Sequence, residues 1–283
     1  MAKKFFRSVC VGMNAVKIKP ITVIARKPEQ LSFVTVSKTL AKVGWDIDGR
    51  CKDTRVIKPF AVKHPFLGTL TVSIREVNKE LDTFLIELKN SLKKVFSTES
   101  LMIEPKAQRI RGMNIETAEE YRATKKGRRH GFGELIRLTS IMEMLENKCN
   151  SISIFAKNTA VYFHGKYKFQ PNITDPKSAL EVLTTVINDK SVSFKPLSDR
   201  AKKLYKQLEQ HEALSPEQKT LLFKKINSLI NSYIKKALAE GKGGKGHEFE
   251  KGMDMILTQE VVQKEKNFFN QRYKSQGIDY KIC

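Results

Sequence analysis

The most informative segment of the sequence is Arg128-Arg-His-Gly-Phe-Gly133, a basic loop with two glycines. An amphipathic helix is predicted directly behind it, over about 134–148, because Leu135, Leu138, Ile141, Met142 and Leu145 recur at helical spacing. The two glycines let a ligand approach the backbone, and the free amides at a helix start suit a phosphate group. The loop is therefore a candidate phosphate-binding loop, although so short a pattern also fits a basic loop with a tight turn.

The segments on both sides of this loop predict a mixed α/β domain. Before the loop we expect strands at 67–74, 97–104, 107–115 and 116–124, and a helix over about 79–95 whose Leu81, Phe84, Leu85, Leu88, Leu92 and Val95 fall at helical spacing. After the loop helix we expect a strand at 152–156 and a short helix at about 159–167. The runs 21–25 and 31–36 also have strand character. This order of strands, loop, helix, strand and helix is typical of a mixed α/β fold.

Beyond Pro171 the pattern becomes helical. A helix is predicted over 199–213, and Ser215-Pro-Glu-Gln218 has the arrangement of a capping box that opens another helix. Gly241 is placed to end that helix. A last helix with a weaker apolar stripe is predicted over about 254–274.

Composition narrows the class of protein. The chain has 283 residues, with 52 Lys and Arg against 30 Asp and Glu, so its formal net charge is +22. An apolar fraction of 40% is enough for a core and excludes wholesale disorder. No run of about 18 apolar residues predicts a membrane span, and the four scattered cysteines favour a reducing, cytoplasmic location without a structural zinc site. The positive charge predicts attraction to polyanions.

Two motifs together resemble a known family. The pattern Arg-x-x-Gly-x-Gly at Arg128, Gly131 and Gly133 follows a predicted strand, and about 25 residues later come Ile152-Ser-Ile-Phe-Ala-Lys-Asn158, Ala160-Val-Tyr-Phe-His164 and Lys166-Tyr-Lys-Phe169. In this order and spacing they resemble the acyl-CoA-binding half of the GNAT family of N-acetyltransferases. The resemblance is close over about 115–170 and loose over 67–115, and it does not extend to 1–60 or 180–283.

The resemblance implies a fold and a division of the chain. The expected fold is a GNAT-like, mostly antiparallel mixed sheet flanked by helices, with a C-terminal helical extension. Residues 61–178 would form the acyl-CoA-binding domain, 1–60 an N-terminal β-containing segment that could belong to it, and 179–283 a helical C-terminal region.

The resemblance also implies a set of cofactor-binding residues. The amides of about 129–134 would hold the CoA pyrophosphate, the end of the preceding strand would pair with the pantetheine arm, and Asn158 would contact the acyl-CoA. In full, these residues are Tyr121, Arg122, Ala123, Arg128, Arg129, His130, Gly131, Phe132, Gly133, Glu134 and Asn158. No metal is expected.

The family often uses a Tyr as the acid that protonates the departing thiolate. Alignment on Ala160 and Phe169 places His164 at that position, with Tyr162 two residues earlier as the competing candidate. A protonated His can donate a proton near neutral pH, although the replacement is equally compatible with a lost catalytic step. The usual Gly before the closing Phe is Lys168.

The general base would come from the strand before the loop. Glu116 and Glu120 share one face of that strand by alternation, with Glu119 on the other. These carboxylates also fit a solvated face that offsets Arg122 and Lys125.

Two functions follow from the sequence. The first is an acyl-CoA-dependent N-acyltransferase, with acetyl-CoA the expected donor and an unknown amine attacking the thioester directly in a ternary complex. The alternative is a non-catalytic GNAT-like module whose basic surface binds nucleic acid or another acidic partner. The sequence does not indicate the oligomeric state.

Overall fold

A computed structural model describes residues 7–11, 14–18, 59–64, 67–78, 83–117, 131–242 and 247–282. The chain divides into two compact units, the first comprising residues 1–152 and 258–283 and the second residues 153–257. The three-part functional division expected from the resemblance stays a prediction.

The first unit contains most of the β structure. Its strands are β1 (Arg7–Val11), β2 (Asn14–Ile18), β3 (Phe60–His64), β4 (Gly68–Asn78), β5 (Thr83–Lys89), β6 (Val95–Glu104), β7 (Arg109–Thr117) and β11 (Tyr280–Ile282). Strands β3 to β7 lie side by side in chain order, and every neighbouring pair is antiparallel. Strands β1, β2 and β11 form a separate antiparallel sheet.

Helix α1 (Phe132–Glu146) is the central helix of the first unit. It packs across β5, β6 and β7, and all its residues except Gly133 and Glu134 are buried. The short helices α6 (Gln259–Lys264) and α7 (Lys266–Ser275) belong to the same unit. The Tyr273 hydroxyl of α7 donates to the Leu138 carbonyl of α1 at 3.3 Å. Because α1 is enclosed, its polar side chains need partners inside the protein.

A buried ion pair joins α1 to the sheet. Arg137 Nη2 lies 2.8 Å from Glu99 Oε1 on β6, and the two side chains are 1% and 0% exposed. Ser140 donates to the other carboxylate oxygen at 2.5 Å. Burial raises the pKa of Glu99, and Arg137 and Ser140 offset part of that rise. The three side chains therefore contact one another inside the protein, with the two charges opposed.

The second unit combines a short sheet with three longer helices. Its elements are β8 (Ser151–Asn158), α2 (Ala160–Lys166), β9 (Gln170–Pro171), α3 (Pro176–Asn188), α4 (Lys195–Glu209), α5 (Pro216–Ala239) and β10 (Phe249–Thr258). The strand order is β8-β10-β9, and β9 pairs with β10 in antiparallel fashion. Helices α2 and α5 touch closely at Gly165, where a Cβ atom would come within 2.6 Å of Ile234 Cγ2.

The fold class predicted from the sequence is confirmed: the protein is mixed α/β, with mostly antiparallel sheet structure flanked by helices. Strands β4, β6, β7 and β8 and helices α1, α2 and α4 occur close to their predicted positions. The capping box at Ser215 is present, since Ser215 accepts from the Gln218 amide while its own amide donates to the Gln218 side chain. In the described part of the chain, no helix is long and apolar enough to cross a membrane. The predicted runs at 21–25 and 31–36, and most of 116–124, lie outside the described residues.

One predicted helix was wrong, and a second was correct only over its later part, where α6 and α7 lie. The helix expected over 79–95 is strand β5, because Phe84, Ile86 and Leu88 also alternate and are all buried, while Leu92 is 85% exposed. Pairing with β4 and β6 satisfies the backbone of this segment on both sides.

The helix expected over about 254–274 begins instead as strand β10. Met253, Met255 and Leu257 are buried at alternate positions. Thr258 ends the strand and caps α6, since its hydroxyl accepts from the Val261 amide at 3.3 Å. The C-terminal region is therefore helical over α3 to α5 but contributes strands to both units.

Removing one partner of the buried ion pair should be far more costly than removing both. Arg137→Met leaves the Glu99 carboxylate without its cation, and we expect a loss of about 3–5 kcal/mol in the free energy of unfolding. The double variant Arg137→Met/Glu99→Leu should recover most of that loss. Urea unfolding followed by circular dichroism measures both values.

The partly exposed pair of Arg109 with Glu104 provides the control. Arg109→Met should cost no more than about 1 kcal/mol. An equal loss in Arg109→Met and Arg137→Met, or no recovery in the double variant, would contradict the assignment.

Candidate functional site

The start of α1 is a helix N-terminus that follows a left-handed glycine. Gly131 is the N-cap residue, with φ +73° in the left-handed region and no side chain to cap the helix. Its carbonyl accepts from the Leu135 amide at 3.0 Å. As in the first turn of any α-helix, the amides that follow Gly131 point toward the start of the helix and not to a carbonyl inside it. The N-cap residue therefore provides no side-chain hydrogen bond to the first-turn amides of α1.

Side chains of the first unit surround this turn. Phe132 is buried, with its ring centroid 5.3 Å from that of Phe96 on β6. Glu134 Oε1 lies 3.6 Å from Arg272 Nη1 of α7, so the acidic side chain in the turn has a nearby cation. A Cβ atom on Gly131 would lie 3.6 Å from the side chain of Gln276, which is an ordinary contact. The cost of any other residue at 131 is therefore backbone strain rather than a clash.

Much of the predicted acyl-CoA loop lies outside the described residues. These positions are Glu120, Tyr121, Arg122, Ala123, Arg128, Arg129 and His130. Of the two candidate bases, Glu116 is described. It is exposed near the end of β7, and its carboxylate accepts from Asn114 Nδ2 at 2.6 Å.

Asn158 ends β8 in a left-handed conformation, with φ +54°, and its side chain is exposed. Asn is one of the few residues besides Gly that adopts this region readily. The turn into α2 therefore accounts for an Asn at this position independently of any ligand.

The two candidate proton donors are buried side chains of α2. Tyr162 is 2% exposed, and its hydroxyl donates to the main-chain carbonyl of His247 at 2.6 Å. Burial raises the pKa of Tyr162. His164 is 7% exposed, and its ring lies 5.0 Å from that of Phe163 and 5.6 Å from that of Phe169. The hydroxyl proton of Tyr162 is thus already engaged in a hydrogen bond.

Lys168 occupies the position where the family usually has Gly, and its φ is +67°. The backbone therefore retains the left-handed turn that glycine favours, with a lysine in its place.

A polar cluster in the second unit was not predicted as a site from the sequence. Asp189 Oδ2 accepts from the Tyr233 hydroxyl at 2.7 Å and lies 3.0 Å from His247 Nδ1. Burial would raise the pKa of Asp189, but hydrogen bonds from Ser191 and Tyr233 hold that pKa below its usual range. The cluster orients the His247 ring and fixes the peptide group that accepts from Tyr162. Asp189 and His247 are 58 positions apart, and no short motif connects them.

The predicted residues fall into two groups. Glu116 and Gly131–Glu134 lie in the first unit, and Asn158, Tyr162 and His164 follow one another along β8 and α2 in the second. Among the side chains that the structure describes, no three His, Cys, Asp or Glu residues come together as a metal site would require.

Comparisons with known proteins find similarity in structure but not in sequence. No protein-family model matches the sequence. No curated protein matches it either. A crystal structure of nourseothricin acetyltransferase is similar to the chain at 15% identity, over 48% of this chain and 81% of that chain, with a TM-score of 0.28. This neighbour is an acetyltransferase, but likeness at that TM-score does not establish a shared fold or function.

Relieving the left-handed strain at Lys168 should stabilise the protein. Lys168→Gly removes a backbone penalty of about 1–2 kcal/mol and adds about 0.5–1 kcal/mol of unfolded-state entropy. We therefore expect the free energy of unfolding, measured in urea, to rise by about 0.5 kcal/mol.

The matched control is Lys168→Ala, which removes the long side chain but keeps the Cβ atom and hence the strain. A gain in Lys168→Ala equal to that in Lys168→Gly would mean that the side chain, and not the backbone, is the source of the strain.

Proposed function

We propose that the protein is an acyl-CoA-dependent N-acyltransferase, with acetyl-CoA the expected donor and an amine of unidentified class the acceptor. The observation that carries this proposal is the left-handed Gly131 directly before α1, within the pattern Arg-x-x-Gly-x-Gly. A residue without a Cβ atom at that point exposes the first-turn amides to a phosphate group, and the helix dipole adds to the attraction.

The local charges support this assignment. The loop sequence immediately before Gly131 contains Lys125, Lys126, Arg128 and Arg129. Glu134, the acid in the first turn, has Arg272 within 3.6 Å, which reduces its repulsion of an incoming anion. A pyrophosphate at this turn would therefore be bound by amides and cations together.

The proposed reaction needs two proton transfers. The amine nitrogen forms a bond with the thioester carbonyl carbon while the carbon–sulfur bond breaks, so the amine loses a proton and the thiolate gains one. We assign the proton for the thiolate to His164, since Tyr162 already donates its proton to the His247 carbonyl. Glu116 or Glu120 would accept the proton from the amine.

Binding of the acyl donor is tested by a substitution at the loop. Gly131→Glu places a carboxylate beside the first-turn amides, and we expect the affinity for acetyl-CoA, measured by isothermal titration calorimetry, to fall at least about tenfold. Wild-type protein that binds neither acetyl-CoA nor CoA would overturn the proposal.

Gly68→Glu is the matched control for this experiment. Gly68 has φ +75° and is exposed, and a Cβ atom added there would have nothing within 4 Å, so the position takes the same strain and charge at the β3–β4 turn. The control should bind acetyl-CoA like the wild type. If both variants lose binding equally, a general loss of stability, visible in their thermal unfolding, is the cause.

The proton donor is tested by turnover. We expect His164→Asn to lower kcat/KM about 100-fold or more while leaving acetyl-CoA affinity unchanged. Tyr162→Phe should keep kcat/KM within a few fold but cost about 1 kcal/mol in unfolding free energy, since the His247 carbonyl loses its donor. Thiol release from acetyl-CoA, with lysine, spermidine and a peptide with a free N-terminus as acceptors, measures the rates. The opposite ranking would assign the acid to Tyr162.

A non-catalytic protein would bind partners through its basic surface without any thiol release.

A further inference from the structure

A groove between α4 and α5 is lined by cations from both helices. Arg200 and Lys203 of α4 and Lys224 and Lys225 of α5 line it together with the buried Leu204 and the exposed Leu221. The groove encloses about 490 Å³. On each helix the lining residues recur at spacings of three and four, so each helix presents one continuous face to the groove.

Among the described residues, these four cations have no compensating acid. Their side chains are exposed, and none makes an ion pair or hydrogen bond with the residues that the structure describes. Described carboxylates are absent from the lining, and Asp199, the acid next to Arg200, contacts Lys202 instead. Four like charges in one groove repel one another unless an anion lies between them.

The groove continues into a second cavity. This cavity encloses about 810 Å³ and shares Lys224 and Ser228 with the first. Lys219, His211 and the half-buried ring of Phe223 also line it, and again no carboxylate does so among the described residues. The second cavity therefore adds Lys219 and one aromatic ring to the four cations of the groove.

We propose that this groove, the α4–α5 groove, binds single-stranded nucleic acid. A row of cations that extends over two joined cavities fits a chain of phosphates better than a single phosphate group. Phe223 offers an aromatic surface for an unstacked base, which a duplex does not present. None of these residues belongs to the proposed acyl-CoA site, so the inference does not depend on the acyltransferase proposal.

The test compares two charge reversals of equal size. Lys203→Glu/Lys224→Glu changes the groove, and Lys206→Glu/Lys235→Glu changes two exposed lysines on the same helices that line neither cavity. Binding of a fluorescein-labelled uridine 20-mer to the full chain is followed by fluorescence anisotropy at about 50 mM salt. The groove variant should bind about tenfold or more weakly, and the control should stay within about twofold of wild type.

The salt dependence gives a second, independent readout. Four phosphate contacts predict a slope of about −3 for log K against log salt concentration, and the groove variant should reduce it to about −1.5. The milder variant Lys203→Gln/Lys224→Gln loses the same two contacts, so its slope should also be about −1.5, with an affinity between those of the groove variant and wild type. A slope that is the same in the groove variant and in wild type would overturn the assignment of these lysines to phosphates.

Competitors identify the ligand class. An unlabelled thymidine 20-mer that competes as well as the uridine 20-mer extends the site to DNA, and one that does not restricts it to RNA; both results support the proposal. The proposal is overturned if a 20-base-pair duplex competes equally well. It is also overturned if the groove variant and its control lose affinity equally. Groove-dependent binding of polyglutamate or phosphatidylserine vesicles without binding of either 20-mer would assign the groove to another partner.

Discussion

The first unit depends on how a fully enclosed helix satisfies its charge. Helix α1 is buried on nearly every side, yet it carries Arg137, and pairing with Glu99 on β6 offsets part of the desolvation penalty of this charge. The pairing fixes the rotation of α1 about its axis, because a different rotation would separate the two charges. The position of Gly131 at the head of the helix, and with it the direction of the first-turn amides, follows from that rotation.

A segment of the fold could be predicted from the sequence where its residues fit only a helix or only a strand. Where the apolar residues fit both spacings, the prediction could fail. Helix α5 was predictable because Ser215, Pro216 and Gln218 mark its start by local chemistry alone. The segment of β5 satisfies both helical and strand spacing, and pairing with β4 and β6, which lie outside the segment itself, decides between them. The same ambiguity affected β10, whose end was predicted to be helical. Its alternating Met and Leu residues come directly before Thr258, which caps the next helix.

The candidate site divides in a similar way. The left-handed turn at Gly131 could be expected because a glycine indicates it, whereas the equivalent turn at Lys168 could not, because a lysine gives no such signal. The Asp189–His247 contact joins residues 58 positions apart, so only the packing of α3, α5 and the start of β10 brings them together. The sequence identified Tyr162 as a candidate but could not identify its hydrogen-bond partner. That partner is the main-chain carbonyl of His247, and every residue type has such a carbonyl.

The contact between Gly165 and Ile234 restricts how this sequence can change. A single methyl group at position 165 would overlap the branched carbon of Ile234, so α2 and α5 could not keep their present separation. Position 165 can accept a larger residue only after position 234 has lost its β-branch. The two positions are therefore expected to vary as a pair. The order of substitution matters, since a larger residue at 165 would destabilise the second unit as long as Ile234 is still present.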